Sequence, residues 1–218
     1  NHFTIVEAFA RSEALRRSAN LVILTGSLDD PLRSDEGVSE DEVRVLRPIR
    51  DLIASAGLSG AVSAFALPGQ ERLAAAYRYL AERRSVFCLT ARYEPFGLAP
   101  LEAAAAGLPL VVTRNGGPSE SLVEAGTEYG VLVDPVDADS VAAGLVRALG
   151  SEWDILAARG SRRVIDRYTW DRTAEGYLGA IERAQQAAAR SRLPIPAWFG
   201  SPDATGFGVG DLAGMYLG

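Results

Sequence analysis

Two carboxylates, Glu94 and Glu102, stand with seven residues between them in the run Glu94-Pro-Phe-Gly-Leu-Ala-Pro-Leu-Glu102. Gly97 lets the backbone approach a ligand with no Cβ in the way. The amides of Leu98 and Ala99, opening a helix, have no intrahelical acceptor and can bind an anion such as a diphosphate. Pro100 has no amide to offer, but a first helical turn tolerates proline. Glu102, placed inside that turn, can accept hydrogen bonds from two vicinal hydroxyls such as a ribose presents. Glu94, on the loop, is left to face the other end of the ligand. One carboxylate for each end of a sugar diphosphate is a use this spacing permits. A plainer reading stands beside it, because the helix dipole alone favours glutamates in first turns.

The flanking segments must hold these groups in place. Ser85-Val-Phe-Cys-Leu-Thr90 is apolar and rich in strand formers, and Ala103-Ala-Ala-Ala-Gly107 is a strong helix former. The carboxylates thus flank a strand-to-helix turn, where open α/β sheets bind ligands. Helices are expected over Phe3–Arg17, Glu40–Ala56 with a break or kink at Pro48, Gln70–Glu82, from about Leu98, near Pro118, Asp139–Leu149, 151–167 and 171–190. Strands are expected over Leu21–Gly26, Ala61–Ala66, 85–90, Leu110–Thr113 and Val131–Val133, with a polar loop over Ser27–Ser39. Val43, Leu46, Ile49 and Ile53 share one helical face, as do Val141, Leu145 and Leu149. Such alternation predicts an α/β fold, a Rossmann-like parallel sheet with helices on both faces. Residues 1–190 form that domain. Residues 191–218, with Pro194, Pro196 and Pro202, read as a Pro/Gly-rich tail.

The stretch from Glu94 to Glu102 resembles the Glu-x7-Glu motif of retaining glycosyltransferases of the two-Rossmann-domain (GT-B) architecture. Asn1-His-Phe-Thr-Ile-Val-Glu-Ala-Phe9 is similar to the opening of their C-terminal domain, and Asn20–Gly26 to its next strand. Gly107-Leu-Pro-Leu-Val-Val-Thr113 with Asn115-Gly-Gly-Pro118, Gly130-Val-Leu-Val-Asp-Pro135 and Tyr168-Thr-Trp170 resemble later blocks in the family's order. Asp29-Asp30, Glu94–Leu98 and Asn115–Pro118 are most similar to the sucrose-phosphate synthase and sucrose synthase branch. The resemblance implies the C-terminal, donor-binding half of a GT-B fold. It implies retaining transfer of a hexose from a nucleoside diphosphate sugar, UDP-glucose first, to a sugar or sugar-phosphate acceptor such as fructose 6-phosphate. A GDP-mannose-dependent transferase and a nucleotide-binding module without turnover stand as alternatives.

The resemblance also implies roles. Glu94 would hold donor sugar hydroxyls as the catalytic residue. Glu102 would hold the ribose, with Phe96, Gly97, Leu98 and Ala99 around the diphosphate. Leu67 would border the base, and Asn115, Gly116 and Gly117 the donor sugar. Arg92, Tyr93 and Arg114 lie on loops at strand ends and could reach phosphate or acceptor. The family places an Arg and a Lys just upstream of the residue matching Asn1, and its acceptor pocket in an N-terminal Rossmann-like domain. The chain therefore reads as an incomplete, inactive half of a larger enzyme. The pairing of carboxylates as acid and nucleophile fits poorly, since one of them would sit on the ribose.

Composition narrows the field further. The 218 residues are 48% hydrophobic with a formal charge of −6. No basic tract suggests nucleic acid, and no run of about 18 apolar residues suggests a membrane span. Cys88, the single cysteine, reads as a packed thiol and cannot form an internal disulfide. A reducing cytoplasm is the expected compartment. No cofactor is expected beyond the nucleotide sugar as co-substrate. His2 is the only histidine, and no His/Cys spacing suggests zinc. Asp29-Asp30 and Asp137/Asp139 read as caps and loop solvation. A dehydrogenase is disfavoured, since no Gly-x-Gly-x-x-Gly follows the first strand.

Overall fold

The computed structural model describes residues 1–186, and the expected tail at 191–218 lies outside the described residues. Two compact units divide the chain, Asn1–Arg172 and Thr173–Gly218. The first unit opens with α1 (His2–Arg11) and α2 (Glu13–Ser18), then β1 (Leu21–Thr25), α3 (Glu40–Ser55), β2 (Val62–Ala66) and α4 (Gln70–Glu82). It continues with β3 (Phe87–Leu89), α5 (Leu98–Ala105), β4 (Leu110–Thr113), α6 (Gly117–Ser121), β5 (Val123–Glu124), β6 (Thr127–Glu128) and β7 (Val131–Val133). Helices α7 (Ala138–Leu149), α8 (Trp153–Arg167) and α9 (Trp170–Gln186) follow.

The strands β1 and β2 pair in parallel, as do β3, β4 and β7 in the order β3-β4-β7. Strand β4 is central to its ladder and buried along its whole length. Its side chains alternate between two cores, as strand geometry demands. Val111 joins Val131, Val133, Val141 and Phe9 on one face. Leu110 and Val112 join Leu101, Leu108 and Tyr77 on the other. Helices cover both faces: α1 packs on α3 and α7, and α5 on α8. Gly144 in α7 lies so close to the sheet that a Cβ there would fall 2.6 Å from a Val133 methyl. The expected parallel α/β architecture is present, with its parallel strands in two separate ladders.

Several boundaries differ from expectation for local reasons. The first helix is broken at Ser12, whose extended backbone and side-chain bond from the Leu15 amide start a second helix. Helix α3 runs unbroken through Pro48, and only Ile49 of its apolar face is fully buried. It starts in a capping box, Ser39 with Glu42. The hydrogen bonds from Ser39 hold the Glu42 carboxyl below its ordinary range. The antiparallel pair β5–β6 was not expected, because strands of two residues show no periodicity. It turns through Ala125 and Gly126, both at positive φ. Among the described residues, no helix is long and apolar enough to cross a membrane.

Candidate functional site

The C-terminal ends of β3 and β4 carry the two loops that meet here. After β3, residues 92–97 lead into α5. After β4, residues 114–116 lead into α6. The loops are joined backbone to backbone. Glu94 and Gly116 form a parallel bridge. The Glu94 amide donates to the Asn115 carbonyl at 3.1 Å, and the Gly117 amide donates to the Glu94 carbonyl at 2.9 Å. Both glycines are there for closeness. A Cβ at Gly116, where φ is +101°, would fall 2.2 Å from the Glu94 carbonyl oxygen. One at Gly117 would fall 2.6 Å from that of Phe96. No side chain fits between these loops, so the Gly-Gly pair fixes where Glu94 stands.

Helix α5 begins at Gly97, which takes the left-handed conformation, φ 97° and ψ 56°. The chain thereby reverses so that the first-turn amides of Leu98 and Ala99 face away from the helix body, without intrahelical acceptors. Pro100 is buried in that first turn. Leu98 is 66% exposed and Phe96 49% exposed, so apolar surface rims the helix end. Phe96 is held at its edge by Tyr168, ring centroids 6.4 Å apart.

Glu102 is the fifth residue of α5, one position beyond the first turn in which the sequence placed it. It is exposed and lies beside Tyr77. Burial, and secondly the Glu102 charge, push the Tyr77 hydroxyl above its ordinary range. Glu94 is half-buried, and one of its carboxylate oxygens accepts a long 3.4 Å bond from the Phe96 amide. Its other oxygen has no partner of this kind among the described residues.

The remaining candidates separate. Asn115 donates through Nδ2 to the Arg92 carbonyl at 2.9 Å, bracing one loop on the other. Arg114 is engaged by Asp134 at 2.5 Å. Asp134 in turn accepts from the Val136 amide. Arg92 is exposed and makes no ion pair among the described residues, so it is the arginine of this pair left for an anion. Tyr93 is 67% exposed beside Gly116. Leu67 is half-buried at the end of β2, its amide donating to the Thr25 carbonyl at 2.8 Å. It thus belongs to the β1–β2 ladder, whereas every other candidate sits on the loops and helices that follow β3 and β4.

Two supporting groups escaped the sequence reading. Asn1 uses Nδ2 to bridge the Thr90 carbonyl at 3.0 Å and the Pro135 carbonyl at 2.6 Å, tying the start of α1 to the ends of β3 and β7. Its resemblance to a family position was the available signal. Arg163 is only 7% exposed. It donates to the Ser121 carbonyl at 2.9 Å and to Glu124 at 2.7 Å, and lies over the Tyr129 ring. It braces α6, and with it the Gly-Gly loop, from behind. An arginine in Arg162-Arg163-Val164 looks like a solvated helix face, so nothing local marked it. No cluster of three or more His, Cys, Asp or Glu able to hold a metal occurs among the described residues.

Comparison with known proteins bears on the family and the fold. Residues 1–168 match the family model described as "Glycosyl transferases group 1". Sucrose-phosphate synthase 4 of Arabidopsis thaliana is 34% identical over 197 residues, 89% of this chain and 18% of the relative. Sucrose synthase of Melioribacter roseus is 33% identical over 174 residues, 76% of this chain and 21% of the relative. The chain thus spans about a fifth of the length of these relatives. Among solved structures, a sucrose-phosphate synthase from Thermosynechococcus elongatus aligns with a TM-score of 0.59 and 25% identity. That alignment covers 86% of this chain and 44% of the other. HepE of Anabaena in complex with UDP-glucose shares the fold, with a TM-score of 0.59 and 20% identity over 83% of this chain and 44% of the other.

Proposed function

This chain belongs to the glycosyl transferases group 1 family, and on that premise we propose that residues 1–168 bind a nucleoside diphosphate sugar, UDP-glucose first, for retaining hexosyl transfer. The acceptor is a sugar or sugar phosphate of the fructose 6-phosphate kind, so that the larger enzyme makes a sucrose-type product. The acceptor pocket belongs to an N-terminal Rossmann-like domain. The similarity to sucrose-phosphate synthases and the UDP-glucose carried by a neighbour of the same fold support this choice of donor and acceptor.

One observation carries the reading. The Gly116-Gly117 pair clamps the Glu94 backbone at the mouth of an open helix end, with unpaired Arg92 at hand. In the proposed complex the diphosphate lies on the amides of Leu98 and Ala99. As the glycosidic bond breaks, negative charge gathers on the leaving diphosphate, and these fixed dipoles together with Arg92 oppose it. Glu94 turns its carboxylate from the Phe96 amide to donor sugar hydroxyls and fixes the ring for attack. Glu102 accepts from the ribose hydroxyls, Leu67 borders the base, and Phe96 shields the diphosphate from water.

The test is calorimetric binding of UDP, GDP and ADP to this chain and to its Glu102→Ala variant. UDP is expected to bind tightest, and to weaken about tenfold in the variant on loss of a charge-assisted bond. GDP binding tightest would transfer the reading to a guanosine-linked donor such as GDP-mannose. In the full-length enzyme, Glu94→Gln is expected to abolish turnover with nucleotide affinity kept. Unchanged turnover sinks the role given to Glu94.

A further inference from the structure

We infer that Asn1 is a positioning residue of the donor site, its carboxamide closing a ring of contacts across the C-terminal ends of β3, β4 and β7 that holds the loop of Arg92 and Glu94 in place. Its effect on nucleotide rests on the donor reading; the ring itself does not. Asn1 stands at the N-cap of α1, yet its side chain caps no amide of that helix. Both hydrogens of Nδ2 go elsewhere, one to the Thr90 carbonyl at 3.0 Å and one to the Pro135 carbonyl at 2.6 Å. Oδ1 accepts from the Thr4 hydroxyl at 3.0 Å, and the Asn1 carbonyl accepts from the Thr90 hydroxyl at 3.1 Å. Thr90 is 2% exposed and Thr4 7% exposed, so Asn1 satisfies two hydroxyls that are buried from water. Two donors and an acceptor at the end of a short side chain are what a carboxamide offers; a carboxylate would bring acceptors against both carbonyls.

The contacts close on themselves. From Thr90 the chain passes through Ala91 to Arg92, whose carbonyl accepts from Asn115 Nδ2 at 2.9 Å. Asn115 follows Arg114, whose guanidinium meets Asp134 at 2.5 Å. Asp134 precedes Pro135, and the Pro135 carbonyl returns to Asn1. Two asparagine carboxamides thus hold two corners of the ring, and an ion pair holds a third. Thr90, Arg114 and Asp134 are each the first residue after their strand, so the ring follows the ladder order β3-β4-β7. Strands two places apart in a sheet are separated by roughly 9.5 Å. The Thr90 and Pro135 oxygens share one nitrogen and therefore lie closer together than that. Asn1 draws the exits of β3 and β7 toward each other over the end of β4.

That closure reaches the site through a short span of chain. Arg92 lies two residues beyond Thr90, and its backbone is anchored on one side through Thr90 to Asn1 and on the other through its own carbonyl to Asn115. The Asn115 carbonyl in turn accepts from the Glu94 amide at 3.1 Å. Both the aim of the Arg92 side chain and the junction of the two loops at Glu94 therefore depend on the ring. Opening it at Asn1 lets the exits of β3 and β7 spread and carries the Arg92 guanidinium out of line with a diphosphate on the Leu98 and Ala99 amides. A displacement of about 1 Å is enough to lose most of such an interaction.

Two measurements on the chain of residues 1–218 test this. In the first, calorimetry gives the UDP affinity of the parent, Asn1→Ala, Arg92→Ala and the double variant. Arg92→Ala is expected to weaken binding about tenfold in the parent but less than about threefold beside Asn1→Ala, because a misplaced guanidinium has less to lose. Equal losses in the two backgrounds, which a merely stabilising Asn1 gives, overturn the positioning of Arg92. In the second, amide hydrogen exchange without ligand compares the parent with Asn1→Ala. The Glu94 and Gly117 amides, which join the two loops, are expected to exchange about tenfold faster. The Tyr168 amide, bonded to the Val164 carbonyl outside the ring, is expected to keep its rate. Unchanged exchange at Glu94 and Gly117, or equal acceleration of all three, overturns the ring. If the parent binds no UDP, or Arg92→Ala binds it as the parent does, the donor reading fails at that point and the exchange alone decides the ring. Should Asn1→Ala fail to fold, Asn1→Ser supplies both readouts, since it keeps a helix-capping residue but is too short to bridge both carbonyls.

Discussion

Replacing Gly116 by alanine tests the claim that closeness, rather than flexibility, places Glu94. The added Cβ would lie 2.2 Å from the Glu94 carbonyl oxygen and 3.3 Å from the Tyr93 ring, at a residue whose φ is +101°. Relieving that overlap moves one loop by roughly 1 Å. Such a shift breaks the two backbone bonds, 3.1 and 2.9 Å, that join the loops. At about 1 kcal/mol each, with about 1–3 kcal/mol for the strained backbone, the cost is about 3–5 kcal/mol. In a unit of this size that is a fall in Tm on the order of 10 °C. If the loops part locally instead, the Tm change shrinks and the cost reappears as lost nucleotide affinity. Calorimetry of unfolding and of UDP binding therefore have to be read together. Gly126→Ala is the control, because its φ of +79° is also positive but no atom lies within 4 Å of the new Cβ. The control is expected to lose only about 1 kcal/mol, and to bind as the parent does. Gly116→Ala with Tm within 2 °C of the control and affinity unchanged would refute the reasoning.

Arg163→Met is expected to destabilise the chain by about 2–4 kcal/mol in urea unfolding, since it leaves the Ser121 carbonyl and Glu124 without their buried partner. Burial pushes the Cys88 thiol up to about 12 from a starting value of 9.0. Alkylation of the folded chain at pH 8 should therefore be slower than that of an exposed cysteine peptide. The same shift has a stability counterpart. The folded thiol holds its proton more tightly than the unfolded one, so its contribution is complete below about pH 9 and is lost as the pH rises toward 12, which Cys88→Ala should abolish. Pro48→Ala restores an amide inside α3, and is expected to raise stability by about 1 kcal/mol in thermal unfolding.

Residues whose surroundings are set by their own segment were legible in the sequence. Leu110–Thr113 and Val131–Val133 read directly as strands, because a strand buried on both faces is a continuous apolar run. Gln70–Glu82 read directly as a helix between Gly69 and the Arg83-Arg84 end. Residues whose roles depend on distant partners were not legible. Asn115-Gly-Gly-Pro118 reads as a turn from its own composition, and only the approach of a loop about 20 positions away explains both glycines, Glu94 crowding Gly116 and Pro95-Phe96 crowding Gly117. Arg163 lies 42 residues from the carbonyl it satisfies. The break at Ser12 was hidden because a serine inside an apolar helical pattern costs little locally, until its side chain finds the Leu15 amide. The site followed the same rule. The helix start after Gly97 was readable from its own segment, whereas the place of Glu102 beyond the first turn and the pairing of Arg114 with Asp134 required the fold.

The separation of the strands into two ladders bears on how the proposed donor is held. Leu67 rides on β1–β2, while Leu98, Ala99 and Glu102 ride on the element that follows β3. A nucleotide with its base at Leu67 and its diphosphate on α5 would span the line along which the sheet is divided. Such a ligand acts as a brace between two plates. Part of its interaction with the protein is consumed in drawing the plates to a fixed separation. Anything else that sets that separation therefore works as a preorganising device. The separation of the ladders and nucleotide affinity become linked quantities, each biasing the other to the same degree, although no residue between the ladders need touch the sugar.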